Sequence, residues 1–275
     1  MVVKPSSSHN TLCISGWKEV SLVDVIGNVS FTIWTCHCNF RCPWCGNFHI
    51  ARGYGCKRVT IEEIVRRLKE VEKVIDYLHV TGGEPTLQSK PLEELFRVVI
   101  NEASISNSID TNGSDPNSLE RMIPYIDHIA IDIKAPLSDP YKYSLSIGLP
   151  LRRAVEMIPR IIRSIELASK VRLAEFRTTL VPGIISDMDV VKIGRELESI
   201  LGNRAEEAIF VVQQYIPYDQ VPDEVLRSMP RAPPEKVREI AETLTDILSM
   251  KVFYRTIEWG TRRASGNVVA WQLLQ

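Results

Sequence analysis

Six apolar runs, each followed by an unusual polar segment, constrain this chain most. Val29–Trp34, Tyr77–Thr81, Ser106–Asp110, His128–Ile133, Val171–Val181 and Ala208–Gln214 read as buried strands. Helical patterns at Thr60–Val74, Pro91–Asn101, Ser118–Ile123, Leu151–Ser169 and Met188–Leu201 separate them. Such alternation predicts parallel strands joined by helical crossovers. The polar segments come just after or within the strands: a cysteine motif, Gly82-Gly83-Glu84-Pro85, Asp110-Thr111-Asn112-Gly113, Asp132 with Lys134, Pro182-Gly183 with Arg177 upstream, and Gln213-Gln214. In a parallel βα barrel these positions share the C-terminal rim, where active sites sit. The expected fold is α/β, a partial (βα)6 TIM-like barrel of mainly parallel strands with its site at the C-terminal strand ends.

Local signals refine this. Thr60 and Glu63 form a capping-box pattern. Pro159 is expected to kink or interrupt its helix. Pro234–Met250 reads as helix, Lys251–Ile257 as a last strand, and Pro217–Pro234 as a surface excursion or lid.

The chain has 275 residues, enough for one large domain. Hydrophobic residues make up 44% and charged residues 24%, as in soluble globular proteins. A net charge of −1 offers no global field for nucleic acid or an anionic membrane. No apolar run approaches the ~18 residues that span a bilayer. The polar start lacks the apolar core of a signal peptide. Residues 1–15 are therefore expected as a flexible tail, and 16–275 as one domain with a core at about 16–214 and an extension at 215–275. Six cysteines, three in one short motif, fit a cytoplasmic, reducing setting and metal binding better than a disulfide framework.

That motif is Cys38-Asn39-Phe40-Arg41-Cys42-Pro43-Trp44-Cys45. Thiols spaced C-x3-C-x2-C can converge on one centre and leave a coordination position without a protein ligand. Structural zinc takes four closed ligands, and an iron–sulfur cube is normally held by four thiolates. A cube held by three keeps one iron open, which points to catalysis. The alternative is a non-catalytic zinc site completed by Cys36. Cys13, Cys36 and Cys56 otherwise read as isolated, buried small hydrophobes, too scattered for a second cluster.

With Thr81-Gly82-Gly83-Glu84-Pro85-Thr86, Asp110-Thr111-Asn112-Gly113, Asp132-Ile133-Lys134 and Leu180-Val181-Pro182-Gly183, the motif resembles the radical SAM superfamily from about Gly16 to Gln214. Within it, the chain is most similar to activating proteins of glycyl radical enzymes, such as those for anaerobic ribonucleotide reductase and pyruvate formate-lyase. The resemblance implies a [4Fe-4S] cluster on Cys38, Cys42 and Cys45, with S-adenosylmethionine on the open iron. It gives Trp44, Gly82, Gly83, Glu84, Pro85, Asp110, Lys134 and Arg177 to the cofactor, with the Gly-Gly-Glu-Pro segment on its amino group. It also implies a monovalent cation on Asp110, Thr111, the Ala130 carbonyl and Asp132. Implied partners are a glycyl radical enzyme and a flavodoxin or ferredoxin donor, with no nucleic acid and no membrane. A small molecule or nucleoside is the alternative substrate. Val25-Ile26-Gly27 departs from the group, which often has an aromatic and a proline before the glycine.

Each constellation has a plainer reading. Gly-Gly-Glu-Pro can be an ordinary turn, Asp110 and Asp132 can cap turns or helices, and Arg177 can be a surface residue paired with Glu175. Residues 37–58 carry Arg41, Arg52, Lys57, Arg58, His37 and His49 but no acid. They form either a solvated loop or a basic rim that steers an acidic electron donor.

Overall fold

Apolar runs become strands of one sheet in the computed structural model, which describes residues 10–264. The strands are β1 (Thr11–Ser21), β2 (Ser30–Thr35), β3 (Lys57–Thr60), β4 (Tyr77–Gly82), β5 (Ser106–Thr111), β6 (His128–Asp132), β7 (Leu173–Leu180), β8 (Ile209–Gln214), β9 (Lys251–Thr256) and β10 (Gly260–Arg263). Their order is β10-β9-β8-β7-β6-β5-β4-β2-β1-β3. From β2 through β9 neighbours pair in parallel, while β1, β3 and β10 add antiparallel edges. The result is the expected open, partly barrel-like α/β sheet, with β9 as a further parallel strand.

Helices cover the outer face because their apolar stripes match the strands. Leu92, Leu95 and Phe96, Ile161 and Ile165, and Ile193 and Leu197 are fully buried, as are strand residues Leu78, Val80, Ile109, Ile129 and Phe176. Each such side chain contributes about 1.5–3 kcal/mol. Thr60 accepts the Glu63 N–H as the sequence predicts, whereas the reciprocal box forms at Ser186 and Asp189. The expected interruption at Pro159 does not occur: one helix spans Leu151–Ala168, held by a buried stripe that includes Met157, Ile158 and Ile161.

One expectation needs correction. Residues 11–15 are not tail but part of β1, because Leu12 and Ile14 are fully buried between β2 and β3. Residues 1–9 lie outside the described residues. The Pro217–Pro234 segment runs over the surface beside the cavity, which Tyr218 and Gln220 line, and is pinned by hydrogen bonds. Gln214 donates to the Ala232 carbonyl at 2.8 Å, Tyr215 Oη to the Leu226 carbonyl at 3.0 Å, and the Asp223 N–H to the Pro43 carbonyl at 3.2 Å. Among the described residues no helix is long and apolar enough to cross a membrane.

Candidate active site

The chain leaves β2 through a tight return. His37 has φ of 69°, a left-handed conformation uncommon outside glycine. Its N–H donates to the Ile50 carbonyl at 2.9 Å, and the Cys38 N–H donates to Ala51 at 3.1 Å. Across the barrel, the Arg41 N–H donates to the Ile147 carbonyl at 2.8 Å, and Trp44 Nε1 to Ser146 at 3.2 Å. Arg52 reaches the Phe40 carbonyl at 2.6 Å, and Arg41 the Cys38 carbonyl at 2.9 Å. These two arginines hold the loop's own carbonyls, and Lys57 lies 5.0 Å from the centre of the Trp17 ring.

Cys38, Cys42 and Cys45 all line one cavity of about 940 Å³. Burial pushes the Cys42 thiol up to about 12, and burial with the nearby Glu84 pushes Cys38 up to about 11. Burial raises Cys45 as well. Such thiols are proton-bound alone and become thiolates when a metal coordinates them. They do not gather within 4.8 Å of one another, whereas Cys13, Cys36 and Cys56 do. Sulfurs around a single zinc lie roughly 4 Å apart, given Zn–S of about 2.3 Å. The motif sulfurs are therefore not drawn together as around a single zinc ion. Cys36 does not complete the motif set, because its sulfur is bonded to Cys56. The two chain segments bring these Cα atoms to 6.3 Å, within bridging range.

Gly82 and Gly83 reach the cavity but also seat the cysteine loop. A Cβ on Gly82 (φ +113°) would lie 2.4 Å from the Thr35 carbonyl oxygen, and one on Gly83 would meet that of His37 at 2.0 Å. The Glu84 N–H donates to the same His37 oxygen at 2.8 Å. The Glu84 side chain is fully buried and does not line the cavity. It accepts Thr86 Oγ1 at 2.6 Å, the Thr86 N–H at 3.1 Å, Thr111 Oγ1 at 2.7 Å and the Asn112 N–H at 2.7 Å. These four donors make the carboxylate a brace between the ends of β4 and β5. Pro85 is buried beside it and opens a short helical turn.

Asp110, Thr111 and Asp132 line the cavity, as expected of the cation group, but their polar atoms are largely engaged. Asp110 Oδ2 meets Arg177 at 2.7 Å, Asp132 Oδ2 meets Lys134 Nζ at 2.8 Å, and the Thr111 hydroxyl serves Glu84. Ala130 is buried in register with Asp110. The protein's own cations thus occupy the two carboxylates. Asp110 Oδ1 is buried without a hydrogen-bond partner among the described residues. Lys134 faces the cavity 4.9 Å from the Trp44 ring centre. Burial opposes its charge, but the Asp132 carboxylate outweighs that and raises its pKa.

Arg177 points inward rather than to the surface, yet it does not line the cavity. Its guanidinium joins Asp110 to Glu175, which Nε meets at 2.5 Å. From Glu175 the chain of contacts continues through His128 at 3.2 Å, Ser108 at 2.7 Å and His79 at 2.7 Å. Arg255 adds a contact to Glu175 at 3.3 Å and lines the cavity. This polar floor was not found by sequence reasoning. Three of its members share one register across neighbouring strands, His79 beside Ser108 and Ser108 beside His128, while Glu175 pairs with Ala130 two residues further on, and that register is set by strand pairing and not by local spacing. The cavity wall also includes Thr179, Gln213, Gln214, Tyr215 and Tyr218, whereas Gly183 lies elsewhere.

The sequence profile described as Radical SAM superfamily matches residues 32–196. A protein of Methanocaldococcus jannaschii that carries the provisional name glycyl-radical enzyme activating enzyme is 28% identical over 247 residues, covering 89% of this chain and 96% of that protein. The pyruvate formate-lyase 1-activating enzyme of Escherichia coli K12 is 26% identical over 204 residues, covering 69% of this chain and 76% of that enzyme. Among solved structures, TYW1 with a lysine-pyruvate adduct bound superposes with a TM-score of 0.58 at 16% identity, covering 88% of this chain and 82% of that one. That likeness concerns the fold.

Proposed function

The chain belongs to the radical SAM superfamily, and we propose that it cleaves S-adenosylmethionine reductively at a [4Fe-4S] cluster and installs a glycyl radical on a partner enzyme. The carrying observation is the convergence of Cys38, Cys42 and Cys45 on one cavity while Cys36 is tied to Cys56. Three thiolates would then hold three irons of a bound cluster, and Cys36 would not be available to the fourth. When bound, the cluster and its sulfonium ligand would supply a 5′-deoxyadenosyl radical.

The chain's own residues position that chemistry. The backbone of Gly82 and Gly83, which lines the cavity, would meet the cofactor's amino group. Lys134 would set its positive charge toward the cofactor carboxylate, and the unpartnered Asp110 Oδ1 would accept a cofactor hydrogen-bond donor. Lys134 and Arg177 stand where a monovalent cation was expected. Residues 16–214 form the cofactor core in this reading, and the residues after Gln214 shape the mouth.

Near full-length likeness to the Methanocaldococcus jannaschii protein supports a glycyl radical enzyme as substrate, with a flavodoxin- or ferredoxin-type donor. A second reading, a small-molecule substrate, is favoured by Tyr215, Tyr218, Arg255 and Thr261 of the C-terminal part, which help wall the cavity. Anaerobic incubation with dithionite and S-adenosylmethionine should yield 5′-deoxyadenosine with the wild type and none with Cys42→Ser. Equal product from both would remove the cluster assignment. A glycyl radical signal in a candidate partner separates the first substrate from the second.

A further inference from the structure

Cys13, Cys36 and Cys56 serve no part of the proposed chemistry, yet the fold gathers them. β1 runs between β2 and β3. Cys13 lies on β1, Cys36 directly follows β2, and Cys56 directly precedes β3. The Cys36 N–H already donates to the Cys13 carbonyl at 3.0 Å, and all three sulfurs lie within 4.8 Å of one another. Gln88 clasps the Cys13 backbone on both sides, accepting its N–H at 2.7 Å and donating to its carbonyl at 2.8 Å. Cys36 and Cys56 form a disulfide, while Cys13 is a free, half-buried thiol.

The position of this bond is what matters. It joins the two ends of the segment 37–55, and that segment contains Cys38, Cys42 and Cys45. We propose that Cys13, Cys36 and Cys56 form a thiol–disulfide exchange centre that staples the cluster loop, with a dithiol reductant of the thioredoxin class as its partner.

Two balanced reactions follow. In the first, the Cys13 thiolate attacks Cys36 Sγ, the Cys36–Cys56 bond breaks, a Cys13–Cys36 bond forms, and Cys56 leaves as thiolate and takes up the proton that Cys13 lost. No electrons are exchanged with the outside, and the loop's far end is released. In the second, the external dithiol is oxidised to its disulfide as Cys36 and Cys56 become thiols. Closing the bond removes open conformations of the loop, so it holds the three motif cysteines in place whether or not they carry metal.

The test uses the full chain, prepared anaerobically with its metal content as isolated. Alkylation under denaturing, non-reducing conditions followed by peptide mapping should give Cys36–Cys56 in the wild type and Cys13–Cys36 in Cys56→Ser after mild oxidation with glutathione disulfide. Hydrogen exchange of residues 37–55 should quicken on the order of tenfold or more when a thioredoxin-type dithiol reduces the wild type. Cys13→Ser should keep the Cys36–Cys56 bond and the protected loop, which guards against misfolding of the other variant. Cys13 and Cys36 both recovered alkylated in oxidised Cys56→Ser, or unchanged exchange on reduction, would overturn the proposal. Neither readout depends on cofactor cleavage, so the proposed function can fail while this stands, and the reverse.

Discussion

Glu84 accepts the backbone N–H of Asn112 at 2.7 Å and so ties the end of β4 to the end of β5. Asn112 passes the tie on, donating from Nδ2 to Asn39 Oδ1 at 2.9 Å, one residue from Cys38. A fully buried carboxylate with four donors is thus the bracket behind the cysteine loop. Glu84→Gln keeps the shape but turns one acceptor into a donor facing donors. The expected cost is about 1–3 kcal/mol, with reduced iron content after anaerobic reconstitution. Urea unfolding and iron analysis check it, and unchanged values in both would exclude the bracing role.

Gly83→Ala tests the contact between the two motifs. Its Cβ would sit 2.0 Å from the His37 carbonyl oxygen, and neither partner is a movable side-chain tip. The cysteine loop must shift for the residue to fit, at a cost of about 1–3 kcal/mol. We expect the secondary structure to persist by circular dichroism while reconstituted iron falls well below wild type. Full iron loading would show that the loop adapts.

The strands that carry the site were legible because apolar runs such as Tyr77–Thr81 sit between helical patterns. β1 was not, since only Leu12 and Ile14 show alternation before Ser15 and Gly16 break it, and its strand partners lie elsewhere in the chain. The cysteine motif was legible because its spacing is local. The grouping of Cys13, Cys36 and Cys56 was not, because it depends on which strands flank β1. Glu84 illustrates a third case: the motif named the right residue, but the direction of its side chain depends on Thr111 and Asn112, which no spacing reveals.

Arg177→Met probes the floor of the barrel. The guanidinium is almost fully buried between Asp110 and Glu175, and its removal takes the paired cation from Asp110 and leaves Glu175 to Arg255 and His128. Losing one partner of a buried ionic set costs about 3–5 kcal/mol. Chemical denaturation should show that loss, with Arg177→Lys intermediate because one ammonium cannot span both carboxylates as the guanidinium does. A loss below about 1 kcal/mol would place the pairing among those of surface strength.

The same floor sets the acid limit of the fold. Burial opposes ionisation of Asp110 and Glu175, but Arg177 outweighs it and holds both carboxyls well below their ordinary values of 3.8 and 4.5. The unfolded chain therefore binds more protons in and below that range, so their stabilisation is complete above the ordinary values and is lost as pH falls through them. Burial also holds His128 below its ordinary 6.5, so the unfolded state gains a proton there first and the loss begins nearer that value. Glu84 runs against this: burial raises its carboxyl above 4.5, and it favours the fold on the acid side. With three groups acting one way and one the other, the urea midpoint should fall between about pH 6.5 and pH 3. In Arg177→Met the acid slope should flatten, because the carboxyls lose the cation that depresses them. A wild-type midpoint constant across that range, or an equal slope in the variant, would show that the buried network does not govern acid stability.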